Sequence, residues 1–382
     1  MFERTLKLSE EDRMVYDNAL KFFERECVPH NERWAEAGVI DREAWEKAGE
    51  AGLLCATMPE EYGGSGLNFR ASTMLMEAQI EAGSAGPGFS LHSDIVAPYI
   101  YAYGSEEQKK RWLPRMATGE LIGAIAMTEP GAGSDLQGVR TSAKKDGNHY
   151  VLNGQKTFIT NGQLANLIIV VAKTDPSKGA HGTSLIIVET DEVEGFRRGR
   201  NLDKVGMAAQ DTSELFFDEV RVPTSNLLGH EEGQGFIQLM QQLPSERLQI
   251  GVTAIKTVEK ALEITTNYTK ERQAFGKPVF SFQNTRFKLA EIATEARIGR
   301  LFVDHCIELL VEDKLDVQTA AMAKWWCSEL QCKVVDECLQ LHGGYGYMME
   351  YPIAQMFVNG RIQKIYGGTN EIMKELISRS FL

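Results

Sequence analysis

The chain lacks the marks of several large protein classes. No apolar run approaches the ~18 residues of a spanning helix, so no integral membrane segment is expected. The N-terminus, Met1-Phe2-Glu3-Arg4-Thr5-Leu6-Lys7, has no apolar core and no Arg- and Ser-rich character, so no export or transit signal is expected. The expected location is cytoplasmic, or the mitochondrial matrix if this is the mature form of a eukaryotic protein. Positive charge is in deficit: 41 Lys and Arg stand against 53 Asp and Glu, a formal net charge of −12. Nucleic acid needs a basic face and is not expected as a partner. The six cysteines form no Cys-x-x-Cys, and no histidine lies at zinc-finger spacing from them. Reduced core cysteines are the expectation, and no metal site. Internal repeats and low-complexity tracts are missing too.

The 382 residues exceed one ordinary core and suggest two or three domains, and the pattern changes character twice. Residues 1–120 read as helical. Ser9-Glu10-Glu11-Asp12 can cap a helix running to Cys27, with Pro29 as its stop, and Asp41 opens another to Ala51. Runs at 70–84 and 89–103 follow, and Ser105-Glu106-Glu107-Gln108 is a capping box for a short helix to Met116. From Leu121 to residue 232, apolar strands alternate with the turn dipeptides Asp146-Gly147, Asn153-Gly154 and Asn161-Gly162. Residues 167–171, 184–188 and 215–223 are strand candidates, and the hairpin-length connections predict an antiparallel, barrel-like β domain rather than βαβ units. From 233 to 382 long helical patterns return at 234–272, 281–312, 315–342 and 369–379, which predicts a four-helix bundle. The expected fold class is α+β: a helical domain (1–120), a β domain (121–232) and a helical bundle (233–382).

Six stretches carry candidate chemistry. The first is Met127-Thr128-Glu129-Pro130-Gly131-Ala132-Gly133-Ser134-Asp135-Leu136, which closes the apolar run 121–126. Its glycines expose backbone N–H groups and let a ligand approach, which suits a phosphorylated one. Leu136 stands where a dinucleotide fingerprint has its third glycine, and no Gly-Lys-Ser/Thr follows, so it is neither that fingerprint nor a P-loop. The second, Lys156-Thr157-Phe158-Ile159-Thr160-Asn161-Gly162, reads as a hairpin end. With the first it can flank a planar heteroaromatic ligand, apolar walls on its faces and threonine hydroxyls at its edge; ordinary hairpin chemistry gives the same pattern. The third, Gln242-Leu243-Pro244-Ser245-Glu246-Arg247-Leu248, puts an acid inside an apolar-patterned helix. Either it forms a solvated surface ion pair with Arg247, or its pKa is raised among apolar groups, as suits a general base. The fourth is Arg272-Gln273-Ala274-Phe275-Gly276-Lys277-Pro278 followed by Phe282-Gln283, where the arginine can bind phosphate or compensate a helix dipole. The fifth is Gln340-Leu341-His342-Gly343-Gly344-Tyr345-Gly346-Tyr347. The sixth is Ile365-Tyr366-Gly367-Gly368-Thr369-Asn370-Glu371-Ile372, a glycine turn entering a capped helix N-terminus.

In this order, and over essentially the whole chain, the six stretches closely resemble the acyl-CoA dehydrogenase family. Ala180-His181-Gly182-Thr183-Ser184-Leu185, the run from Lys204-Val205-Gly206-Met207 to Pro223, and Leu243-Pro244-Ser245-Glu246-Arg247 look most like its long-chain and isovaleryl branches. The resemblance implies FAD, a homotetramer built as a dimer of dimers, and oxidation of acyl-CoA to trans-2-enoyl-CoA with an electron-transfer flavoprotein as acceptor. It places Met127 and Thr128 along the flavin ring, Gly133 and Ser134 on its phosphate side, and Phe158, Ile159 and Thr160 over another part of the ring. It places Arg272, Phe275, Gln283, Gln340, Gly343 and Gly344 at the adenine-diphosphate half of a neighbouring subunit's FAD. Thr369 and Glu371 fall at the helix-terminus end of the cofactor. Substrate contacts fall at Ser134, Ala180, His181, Ile237, Pro244, Ser245, Arg247, Gly367 and Gly368, with the loops near Ser93 to Pro98 helping to shape the acyl pocket.

The departure from the family pattern is Gly367. Many members carry their catalytic base there, as Glu in Tyr-Glu-Gly-Thr, whereas this chain has Tyr366-Gly367-Gly368-Thr369. In the long-chain and isovaleryl branches the base comes from the central helix, at the place Glu246 fills. The resemblance therefore implies Glu246 as the catalytic base, with hydride transfer to flavin N5. Two other readings stay open on the sequence: a flavin oxidase or monooxygenase on the same scaffold, and a non-catalytic helical scaffold.

Overall fold

The computed structural model describes residues 4–381. Its first part is helical: α1 (Glu10–Phe22), α2 (Asn31–Ala37), α3 (Arg42–Glu50), α4 (Phe69–Ala82), α5 (Ala97–Tyr103) and α6 (Glu106–Ala117). Local hydrogen bonding sets the starts of α1 and α6. Ser9 and Asp12 cap each other reciprocally, as do Ser105 and Gln108. The first helix does not run unbroken to Cys27: at Phe23 it passes into a π-helical turn, Phe23–Cys27, and then a 3-10 turn, Val28–His30. Pro29 begins this new turn instead of ending the helical path, since a first turn has no need of its missing N–H. A second π-helical turn, Leu91–Val96, precedes α5, so residues 93–98 are helical and not the loops expected from the sequence.

The middle of the chain supplies β1 (Gly123–Ala126), β2 (Ser142–Asp146), β3 (His149–Thr160), β4 (Leu167–Lys173), β5 (Thr183–Glu189), β6 (Phe196–Asn201) and β7 (Thr212–Pro223). The sheet order is β1-β4-β2-β3-β7-β6, with β5 also on β4. The hairpin-linked strands pair antiparallel, as their connections predict, but β1 runs parallel to β4, Gly123 opposite Leu167. The chain between those two strands detours through β2 and β3, and that length allows a parallel crossover. The β2–β3 hairpin turns at Gly147-Asn148, one residue past the Asp146-Gly147 read from the sequence, with Asp146 still paired to His149. Asn153-Gly154 is not a turn: it lies inside β3, at a register shift between Leu152 and Gly154.

Strand β4 is buried on both faces. Ile168, Val170 and Ala172 join a core with Phe22, Phe23, Trp34, Trp45 and Phe89, while Leu167, Ile169 and Val171 meet Tyr99, Ile100, Trp112 and Met116. That two-sided cover is why the strand reads as an unbroken apolar run.

The C-terminal helices are α7 (Gly235–Glu271), α8 (Gln283–Val311), α9 (Val317–His342), α10 (Pro352–Gly360) and α11 (Asn370–Ser378). Four of these match the predicted bundle, and α10 is additional. Leu248, Val252, Ile255, Val258 and Leu262 form the buried stripe of α7, at three- and four-residue spacing, against α8 and α9. Helix α7 also packs on α4 and α5, so the two helical regions meet along it. Cys27, Cys55, Cys306, Cys327 and Cys338 are buried. Among the described residues no helix is long and apolar enough to cross a membrane.

Candidate active site

Glu246 sits in the early turns of α7 and is 8% exposed. Its Oε1 accepts a hydrogen bond from the hydroxyl of Tyr99, on α5, at 2.8 Å. Burial pushes the carboxyl up to about 7, against the opposing pull of the Tyr99 hydrogen bond and the Arg247 charge. Tyr99 is itself buried, and burial beside Glu246 holds its phenol well above its ordinary range. Arg247 is buried as well and turns elsewhere: its Nε donates to the Gly367 carbonyl at 3.3 Å. Burial lowers its guanidinium pKa, with Glu246 opposing. The surface-ion-pair reading of Glu246-Arg247 is therefore excluded. The two residues are buried and serve different partners.

The glycine turn lies against the same part of α7. Gly367 and Gly368 have φ of +66° and +95°, a left-handed backbone that glycine adopts without strain. A Cβ added at Gly367 would stand 2.5 Å from Cδ1 of Ile250, one helical turn beyond Glu246. The terminal methyl of Ile250 can turn aside, so what a side chain at 367 chiefly meets is the strain of the left-handed backbone. Thr369 caps α11, its hydroxyl accepting from the Ile372 N–H at 3.4 Å, and Glu371 stands exposed in the first turn.

The first two motif stretches meet in the β region. The Thr157 N–H donates to the Thr128 carbonyl at 2.9 Å. Behind this junction Lys156, its side chain fully buried, donates to the carbonyls of Met127 (3.0 Å) and Val171 (2.7 Å) and to Glu129 (2.9 Å). Burial draws the Lys156 pKa down to about 8, with Glu129 opposing. Burial alone would raise Glu129, but Lys156 and the N–H groups of Arg140 and Thr141 hold it below its ordinary value. Gly133 and Ser134 are exposed, and a Cβ on Gly133 would meet nothing within 4 Å. Phe158 is 67% exposed, on a backbone of φ +61°. Ile159, the next residue on the strand, is buried in the core, so only its backbone faces the region of the motif.

Arg272, Phe275, Gln283, Gln340, Gly343 and Gly344 gather at the other end of α7. Arg272 caps that helix and lies 5.5 Å from the Tyr345 ring. Phe275, at the tip of a small hairpin (β8, Gln273–Ala274; β9, Lys277–Pro278), is 96% exposed. Gly343 and Gly344 have open space where a Cβ would stand. The 26 residues from Glu246 to Arg272 span about 39 Å of helix, so one chain does not bring this group to its own Glu246.

Ala180, His181, Ile237 and Pro244 come together, lining a groove of about 540 Å³ with Phe236, Met240, Gln241 and Val317. Ser245 is half-buried beside it. The residues that sequence reasoning missed are Tyr99, Lys156 and Glu129 in their actual roles. A tyrosine within the apolar run 95–100 was the one local signal for the first.

Family models match the chain in three parts: the acyl-CoA dehydrogenase N-terminal domain over residues 9–120, the middle domain over 124–220 and the C-terminal domain over 233–382. The mitochondrial long-chain specific acyl-CoA dehydrogenase of Sus scrofa is 53% identical over 98% of this chain and 87% of its own. The crystal structure of acyl-CoA dehydrogenase from Geobacillus kaustophilus is similar at a TM-score of 0.96 and 50% identity, covering 99% of this chain and 100% of that one. That of Bacillus anthracis acyl-CoA dehydrogenase, complexed with FAD, has a TM-score of 0.90 at 34% identity over 98% of this chain and 68% of that one. Matched along nearly its whole length in sequence and in fold, the chain belongs to the acyl-CoA dehydrogenase family.

Proposed function

We propose that this protein oxidises acyl-CoA thioesters to trans-2-enoyl-CoA with Glu246 as the base. One observation carries this: Glu246 is a buried carboxyl held by a single tyrosine hydroxyl, with its pKa near 7 and a glycine turn packed beside it. A base poised near neutral pH is both ionised often enough and basic enough to take a proton.

The cofactor is FAD, and the residues present fit it. Thr128 and Thr160 lie on the β region whose exposed Phe158 offers a flat apolar face, and Gly133 leaves its backbone open to a phosphate. Arg272, Phe275, Gln283, Gln340, Gly343 and Gly344 would hold the adenine-diphosphate half from a neighbouring subunit, and Thr369 and Glu371 the helix-terminus end. When bound, FAD supplies N5 as the acceptor of hydride from the substrate β-carbon.

Glu246 removes the α-proton. Arg247 leaves it free to do so, because its guanidinium is committed to the Gly367 carbonyl. The glycine turn offers backbone N–H groups where negative charge develops on the thioester oxygen. The groove at Ala180, His181, Ile237 and Pro244 takes part of the substrate. Ser134 and Ser245 supply hydroxyls to the substrate.

Electrons leave to an electron-transfer flavoprotein, and the chain works as a homotetramer of three-domain subunits (1–120, 121–232, 233–382). Exposed Phe275, Phe287, Ile298 and Tyr347 on the bundle support such assembly. The test is anaerobic flavin bleaching with a panel of acyl-CoA chain lengths. Glu246→Gln is expected to keep flavin and acyl-CoA and to lose about three orders of magnitude in reduction rate. A near-normal rate would refute the assignment of the base. Rapid peroxide release in air would assign an oxidase instead.

A further inference from the structure

Lys324, on α9, is fully buried, and its ammonium donates to two neutral oxygens, the Gly368 carbonyl and Asn370 Oδ1, both at 2.8 Å. Burial, and then the like charge of Arg247, pull its pKa down to about 8. A cation buried against neutral acceptors is costly to the fold. Arg247 makes the matching contact one residue earlier, on the Gly367 carbonyl. Two cations from two helices thus grip consecutive carbonyls of the turn.

Both gripped residues are left-handed glycines, at φ +66° and +95°. Glycine carries no conformational preference of its own strong enough to hold such a turn in one form. In a trans peptide the N–H points opposite to the preceding C=O. Fixing the carbonyls of Gly367 and Gly368 therefore fixes the direction of the N–H groups that follow them. Among the described residues, the two N–H groups so oriented, those of Gly368 and Thr369, have no backbone acceptor in hydrogen-bonding geometry.

We propose that Lys324 is a positioning residue of the active site: with Arg247 it locks the Gly367-Gly368 turn so that its free N–H groups meet the carbonyl oxygen of the bound thioester. This rests on the reading of the site given above. Lys324 acts through the turn and does not touch the reacting atoms.

The test uses the flavin-loaded protein with its flavin chemically reduced, so that [1-13C]lauroyl-CoA binds without turnover whichever residue is the base. Isotope-edited infrared spectroscopy reads the thioester carbonyl stretch. In the unaltered protein the stretch is expected below its value in water. Lys324→Met is expected to lose at least about half of that shift and to cut kcat roughly 10- to 100-fold, with thioester affinity held within about threefold and flavin content unchanged. Lys324→Gln keeps a donor without the charge and should recover part of the shift; it carries the test alone if Lys324→Met does not fold. A bound carbonyl that vibrates as in the unaltered protein, in either variant, overturns the proposal. So does loss of flavin or thermal stability with the shift intact. Glu246→Gln leaves the shift in place, so failure of the base assignment shows only in the reduction rate.

Discussion

Removing one oxygen, in Tyr99→Phe, tests how the resting base is tuned. The Tyr99 hydroxyl is a 2.8 Å donor to Glu246 and the strongest of the influences that offset burial of the carboxyl. A hydrogen bond to a charged acceptor is worth about 1.5–3 kcal/mol, and one pKa unit is about 1.4 kcal/mol. Losing it should lift the Glu246 pKa by about one to two units, from near 7 towards 8 or 9. At pH 7 the ionised fraction then falls from about a half to between about 10% and 1%, a rate loss of about 5- to 50-fold. The loss should shrink to about twofold or less by pH 9. The assay is the pH dependence of kcat/KM, which reports the free enzyme. Tyr103→Phe is the control, because the Tyr103 ring lies tilted 6.1 Å from that of Tyr99 but gives its hydroxyl to Gln241 and not to Glu246. An acid limb that stays in place in Tyr99→Phe, or moves down, refutes the account of Glu246.

Three other outcomes are expected. Glu246 has a folded pKa raised from 4.5 to about 7, so the stability it allows is fully present below pH 4.5 and lost as pH rises through 7. That difference, about 3 kcal/mol, should separate the ligand-free protein from Glu246→Gln in denaturant titrations across that range, and equal pH profiles would sink it. Gly367→Glu should not restore activity to Glu246→Gln, since a side chain there is strained on a backbone of φ +66°; flavin bleaching at a substantial fraction of the normal rate would contradict this. Lys156→Met strips the pin from the 127–129 segment and leaves Glu129 buried without its cation, at a cost of about 3–5 kcal/mol; flavin content after purification and Tm should both fall, and a normally yellow, equally stable protein would contradict this.

The parts of the fold legible in the sequence are those fixed locally. Ser9, Ser105 and Thr369 each close a helix end within three residues, so a reader of the chain can place them. Pairing between distant segments left no such trace: β1 beside β4, or the Tyr99 hydroxyl on a carboxylate 147 residues away. An irregularity in β3, a register shift between Lys156 and Ile159, also decided between neighbours. Phe158 faces out and Ile159 faces in, so of a motif expected to cover the cofactor with both, one side chain belongs to the core. Glu246 was legible as a candidate from its place in an apolar-patterned helix, and the missing acid at 367 sharpened that reading. What converts it from a charged pair into an isolated carboxyl is the divergence of Arg247 towards the turn, a tertiary fact.

Helix α7 begins in the groove, carries Glu246 and Arg247 in its early turns and ends at Arg272. A helix advances about 1.5 Å and turns about 100° per residue. One residue inserted between 248 and 270 would swing Arg272 by that angle relative to Glu246, while a substitution at an exposed position in the same span would leave both where they are. The segment therefore behaves as a gauge whose length is set and whose lettering is partly free. Random insertion across the chain should find the span intolerant and the turn at 312–316 permissive.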